Sequence, residues 1–135
     1  MRADLTRFGV EEARTPADVD RLLAPGSGSV LMVVNSICGC AAGRARPAVG
    51  MALQHSNRPS KAATVFAGGD EAAVARLRAL LAEYPPSSPS MFLFQDGKPV
   101  HALHRSDIER RDPFEIAELL KAAFDLHCAP AGPAA

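Results

Sequence analysis

Two of the three cysteines in the chain stand one residue apart, in Cys38-Gly39-Cys40. Before them runs the apolar stretch Val30-Leu31-Met32-Val33-Val34, and after them an alanine-rich segment in which Ala41, Ala45, Ala48, Val49, Ala52 and Leu53 share a helical face. This reads as a strand, a tight turn and a helix. A thiolate at a helix N-terminus lies beside unpaired N–H groups and the positive end of the helix dipole, which lowers its pKa and makes it a nucleophile at neutral pH. Cys38 is placed for that role. Cys40, farther into the helix and less exposed, can attack a mixed disulfide formed at Cys38 and so resolve it. Bridging two cysteines across one residue closes a tight ring, which Gly39, without a Cβ, bends most easily. The resulting disulfide is expected to be strained and its dithiol form favoured. Such a pair is a poor reductant of ordinary disulfides and is better suited to accepting a small thiol cap.

Other readings of these residues are open. Closely spaced cysteines can simply be small buried hydrophobes. They can also bind zinc or copper, although structural zinc sites use Cys-x-x-Cys in two pairs, and the sequence has no such spacing. His101 and His104, at the end of a hairpin, are the other ligand types to hand, but strand-end histidines are usually solvated; the metal set is therefore none. Pro89 precedes a strand that would face the cysteine loop, where a cis bond could present backbone for a substrate to pair with. Arg44 and Arg46 could favour the thiolate or hold an anion, against the commoner case of solvated arginines. Cys128 has no activating neighbour in sequence and reads as a bystander thiol or an extra acceptor. The candidate catalytic residues are Cys38 and Cys40. The candidate substrate-binding residues are Asn35, Ser36 and Gly39 around them, with Ser88 and Pro89.

The elements that must position these residues follow from pattern. Thr15-Pro16-Ala17-Asp18 opens a short helix with an N-cap, a proline at its first position and an acid in its first turn, and Val19, Leu22 and Leu23 form its apolar face. The run Val30 to Val34 reads as a central parallel strand buried on both faces. The helix after the cysteines extends to about Gln54, and Pro47 inside it is expected to kink it. A strand from Ala62 to Ala67 leads through Gly68-Gly69 to a helix capped by Asp70, with Val74, Leu77, Leu80 and Leu81 at helical spacing, stopped by Tyr84-Pro85-Pro86. Met91 to Phe94 and Pro99 to Leu103 form a hairpin about Asp96-Gly97. Asp112-Pro113 opens a last helix with Ile116, Leu119, Leu120, Ala123 and Phe124 inward, ending near His127-Cys128. Helix, strand, helix, strand, helix, hairpin, helix is the thioredoxin-like order. The expected fold is α/β, a mixed central sheet of about four to five strands with helices on both faces and the cysteine loop at the carboxyl end of a central strand.

Composition narrows the rest. At 135 residues the chain fits one domain, expected over residues 1–128 with a disordered tail at 129–135. Its 15 basic and 15 acidic residues balance, and no basic block invites nucleic acid or anionic membrane as a partner. The longest apolar run is too short to span a bilayer, and no basic segment followed by a hydrophobic one opens the chain. Cytoplasm is the default compartment, and an odd number of cysteines there points to redox or metal chemistry rather than a disulfide framework.

The stretch Asn35-Ser36-Ile37-Cys38-Gly39-Cys40-Ala41-Ala42-Gly43, with Arg46-Pro47, Thr64-Val65-Phe66-Ala67-Gly68, Pro86-Ser87-Ser88-Pro89-Ser90 and Ala123-Phe124-Asp125-Leu126-His127-Cys128, resembles the bacilliredoxin family from about Phe8 to Cys128. The resemblance implies a thioredoxin-like protein that takes bacillithiol off S-bacillithiolated proteins. The small thiol would pass to Cys38, and Cys40 would resolve or tune the adduct. It also implies weak disulfide isomerase activity and places Pro89 at the cis-proline position. No bound cofactor is implied; bacillithiol or a similar low-molecular-weight thiol is the co-substrate. The partners are S-thiolated cytosolic proteins and the small thiol, with room for a homodimer. Arg110-Arg111 stands where the family pattern has a Gly-His pair.

Overall fold

Seven consecutive buried residues make Ser29–Asn35 the strand around which the rest is arranged. A strand without a solvated face needs cover on both sides. The computed structural model describes residues 9–24, 26, 28–35, 45–67, 69–84 and 90–128. Its elements run β1 (Glu11–Glu12), α1 (Pro16–Leu22), β2 (Ser29–Asn35), α2 (Arg46–Ala52), β3 (Lys61–Phe66), α3 (Glu71–Leu80), β4 (Ser90–Gln95), β5 (Lys98–Leu103), α4 (Arg105–Glu109) and α5 (Pro113–His127). The strands form one mixed sheet in the order β1-β3-β2-β4-β5. β2 is central, as its apolar run implies, but parallel only to β3; its other neighbour, β4, is antiparallel.

Alternation along β2 divides the core in two. Leu31 and Val33 join Ala48, Val49 and Ala52 of α2 and Ile116, Leu120 and Phe124 of α5 on one face. Val30, Met32 and Val34 join Val19 and Leu22 of α1 and Val74 and Leu77 of α3 on the other. Burial of each large aliphatic or aromatic side chain contributes about 1.5–3 kcal/mol relative to exposure. Ala48 and Ala52 of α2 share this buried cluster with the fully enclosed Phe124 ring of α5.

Local chemistry sets the boundaries. The Thr15 hydroxyl accepts from Asp18 N–H at 3.1 Å, and the Asp18 carboxylate accepts from Thr15 N–H at 3.3 Å, a reciprocal cap for α1. Asp112 and Glu115 make the same arrangement for α5. Asp96 and Gly97, with φ of 50° and 84°, supply the two left-handed residues of the hairpin turn between β4 and β5.

Several expectations change in detail. Pro47 is the second residue of α2 and follows Ala45, which already has right-handed helical dihedrals (φ −64°, ψ −50°); the expected start of that helix at the cysteines lies outside the described residues. That helix ends at Ala52, two residues before Gln54, and its last carbonyls accept from Gln54 and His55 N–H. Asp70 stands at the N-cap position of α3, yet its side chain does not cap the helix; the carboxylate turns back to accept from Phe66 N–H at 3.2 Å. β1 and α4 are additional elements. β1 is too short for alternation to show, and α4 is a single turn after β5. The expected tail at residues 129–135 lies outside the described residues.

Candidate functional site

Asn35 and Arg46 frame the segment that carries both closely spaced cysteines. Asn35 closes β2; its carbonyl accepts from Ala67 N–H at 2.9 Å, and it stands opposite Phe66 in the parallel ladder. Arg46 opens α2, and its Nη1 donates to Asn35 Oδ1 at 3.3 Å. Both are buried, at 1% and 3% exposure. Arginine is rarely this enclosed, because removing a guanidinium from water is costly unless its donors are used. The arginine expected to be solvated is therefore part of the interior framework at the carboxyl end of the central strand.

Ser90, fully buried at the start of β4, pairs with Val34, one residue before Asn35. The segment ending in Ser88 and Pro89 thus joins the sheet beside the point where the cysteine segment leaves it. Cys38, Gly39, Cys40, Ser36, Arg44, Ser88 and Pro89 themselves lie outside the described residues. The juxtaposition of Asn35 and Ser90 follows from strand register and could not be read from two stretches more than fifty residues apart in sequence.

The two histidines considered as ligands do not come together. His101 pairs with Leu93, which faces α2 and α5, and burial lowers its pKa, with His127 acting in the same direction and Asp107 opposing. His104 packs instead against Tyr84 and Phe92 on the other face, with ring centroids 5.9 Å from each. Among the described residues, no group of three or more His, Cys, Asp or Glu side chains is arranged to hold a metal ion, and no helix is long and apolar enough to cross a membrane.

Cys128 is at the far end of the sheet. It is half-buried against the α2–α5 core, and burial raises its pKa while a hydrogen bond with Ser29, at the amino end of β2, pulls the other way. It is a protected thiol, not an activated one.

A family model described as disulphide isomerase matches residues 1–128. The chain is 47% identical over 128 residues to a bacilliredoxin of Koribacter versatilis (strain Ellin345), covering 95% of this chain and 88% of the relative. It is 44% identical over 128 residues to a bacilliredoxin of Halalkalibacterium halodurans, covering 95% and 89%. Among solved structures, a mutant thioredoxin from Halobacterium salinarum superposes with a TM-score of 0.63 at 16% identity, covering 90% of this chain and 93% of that one. A thioredoxin of Fasciola hepatica gives 0.62 at 17% identity, covering 87% and 99%. These likenesses fix the fold as thioredoxin-like, with its mixed five-stranded sheet between two helical layers.

Proposed function

Because the chain belongs to the bacilliredoxin family and is a thiol-disulfide oxidoreductase, we propose that it lifts a bacillithiol-type small thiol from S-thiolated proteins, Cys38 attacking and Cys40 resolving. In the first step the Cys38 thiolate attacks the small thiol's sulfur in the mixed disulfide. The Cys38–small-thiol bond forms, the substrate's S–S bond breaks, and the substrate cysteine leaves as a thiolate that takes up a proton. In the second step Cys40 attacks the Cys38 sulfur and expels the small thiol, leaving a Cys38–Cys40 disulfide for a thiol reductant to reopen.

The observation that carries this reading is that Cys38-Gly39-Cys40 begins three residues beyond Asn35, which ends the central strand at its carboxyl end. Open α/β sheets place their binding sites there. To Ser36, Gly39, Ser88 and Pro89 we assign the binding of substrate, with the peptide bond before Pro89 lending backbone to the incoming chain. Asn35, enclosed and bonded to Arg46, we assign to the frame at the end of the central strand.

Mass spectrometry of wild-type and Cys40→Ser protein after reaction with a bacillithiolated model protein tests the scheme. One small-thiol adduct on Cys38 in the variant is expected; removal of the cap by Cys38→Ser would refute it. The description of the matching family model favours a second reading, a disulfide isomerase for protein substrates. It predicts that wild-type protein unscrambles disulfides without acquiring the cap.

A further inference from the structure

We propose that the cavity between α4 and α5 is a carboxylate-binding site, with Arg110 and Arg111 as the recognising pair. The inference goes beyond thiol exchange and does not depend on it.

A short connection between two helices builds the site. α4 ends at Glu109 and α5 begins at Pro113, and the turn between them gathers Ser106, Asp107, Arg110, Arg111 and Glu115 around a cavity of about 330 Å³. That volume is at the small end of the range for small-molecule sites. Two arginines on one cavity repel each other, and an anion between them relieves the repulsion. Arg111 is held in place: its Nη1 donates to the Asp107 carbonyl at 2.8 Å, and a carboxylate oxygen of Asp107 lies 3.9 Å from the same nitrogen. A guanidinium presents several N–H donors in a fixed fork, so one bond to a carbonyl leaves most of them for a ligand. Arg110 is exposed, and its side chain makes no hydrogen bond or ion pair among the described residues.

Charge selects the class of ligand. Both carboxylates on the cavity wall already serve backbone donors: Asp107 accepts from His104 N–H at 3.0 Å, and Glu115 from Asp112 N–H at 3.2 Å. They still oppose incoming negative charge, and oppose a dianion such as phosphate more strongly than a monoanion. A carboxylate is the monoanion whose two oxygens match the planar guanidinium fork. Such a group belongs either to a free small acid or to an Asp or Glu side chain of a bound polypeptide. α4 follows directly on β5, whose Leu103 pairs with Met91, next to the Ser90–Val34 pair at the carboxyl end of β2. It therefore leaves the sheet at that end, where a docked polypeptide is one source of the acid.

NMR titration of the full chain at constant ionic strength tests the site through the backbone amides of Ser106, Arg110 and Arg111. The probes are acetate, the blocked peptide acetyl-Gly-Glu-Gly-amide and inorganic phosphate, with chloride as the control. Acetate is expected to shift these signals with a Kd on the order of 10 mM, as exposed charge pairs allow. Arg110→Gln, whose side chain loses no partner within the described residues, should weaken acetate about fivefold. Glu115→Gln, which removes a like charge and keeps an acceptor for Asp112 N–H, should tighten it about twofold. Acetate shifts no larger than those of chloride overturn the proposal, as does an Arg110→Gln protein that binds acetate as the parent does. Phosphate binding tighter than acetate overturns the carboxylate assignment. Peptide binding at least as tight as acetate assigns the site to acidic side chains of polypeptides, and weaker peptide binding assigns it to free small acids. None of these readouts involves a cysteine, so the proposed thiol exchange is tested separately.

Discussion

Cys128 rests against the hydroxyl of Ser29 at the amino end of β2, whereas the segment bearing Cys38 leaves from Asn35 at the other end of the same strand. A strand of this length spans on the order of 20 Å. Asn35, where the described part of that segment ends, is thus far beyond the roughly 7 Å between Cα atoms that a disulfide tolerates. Cys128→Ser is therefore expected to leave thiol transfer unchanged, measured by release of the small thiol from a capped substrate. Peptide-level mass spectrometry after brief alkylation at pH 7 should find Cys128 the least modified cysteine. Its pKa is raised by burial above the ordinary 9.0, so the folded state holds this proton more tightly than the unfolded state. Stability linked to it is intact below pH 9 and falls as pH rises beyond that value. Urea midpoints at pH 8 and pH 10 should converge in Cys128→Ser relative to wild type.

Gly97 is fixed both by its conformation and by its surroundings. Its φ is 84°, and a Cβ added there would lie 2.5 Å from the Leu23 carbonyl oxygen, a backbone atom with no freedom to move aside. Gly97→Ala is expected to cost on the order of 3 kcal/mol, from left-handed strain and displacement of the chain after α1. Chemical denaturation would show this, and an unchanged midpoint would mean that the turn is remodelled cheaply.

The cap of α1 predicts an acid-sensitive start to the domain. Thr15→Ala removes the hydroxyl that accepts from Asp18 N–H and should cost about 1 kcal/mol, a fall of about 3–5 °C in Tm. The Asp18 carboxylate is held below its ordinary pKa by Arg14 N–H and by the Thr15 hydroxyl and N–H, partly against desolvation. A depressed carboxylate contributes stability above its unfolded pKa and loses it as pH falls through the folded one. Asp18→Asn should therefore flatten the decline in Tm below about pH 4; an unaltered acid limb would show the cap to be inert.

Phe124 lies fully enclosed between α5, α2 and the sheet, and its carbonyl accepts from Cys128 N–H at 2.7 Å. Phe124→Ala should cost about 3–5 kcal/mol. It should also make Cys128 readily alkylated at neutral pH, because the core that shields the thiol is opened. Loss of stability without a change in Cys128 labelling would place its shielding elsewhere.

Much of this architecture was legible in the sequence because each long element carried redundant signals. The helix beginning at Pro113 had a cap, a first-turn proline and a five-residue apolar stripe, and the hairpin had Asp96-Gly97 between two apolar runs. What was not legible depended on pairing across space. β1 has two residues and exists because β3 offers it a parallel edge at Ala63 and Thr64. Asp70 carries a capping residue's chemistry, but a strand N–H competes for its carboxylate and wins. At the site, the type and spacing of Cys38 and Cys40 signalled thiol chemistry, and Pro89 was singled out from its place before a strand. Arg46 was singled out from its place just past the cysteines, but its burial was not legible, because its partner Asn35 lies eleven residues earlier on another element.

The same turn of Asp70 has a consequence for how the molecule tolerates crowding. On the outer side of β3, β1 pairs with Ala63 and Thr64, and Ala13 N–H extends that contact to the Thr64 carbonyl at 2.8 Å. The Phe66 N–H beyond it would be an open docking point for a stray strand, and the Asp70 carboxylate occupies it. At the opposite border, β5 opens with Lys98-Pro99, and the β4–β5 ladder slips at Leu93 and Phe94. Charge, proline and irregular register are all obstacles to strand addition. Obstructed in this way beside β1 and along β5, the sheet offers little template for fibrillar growth.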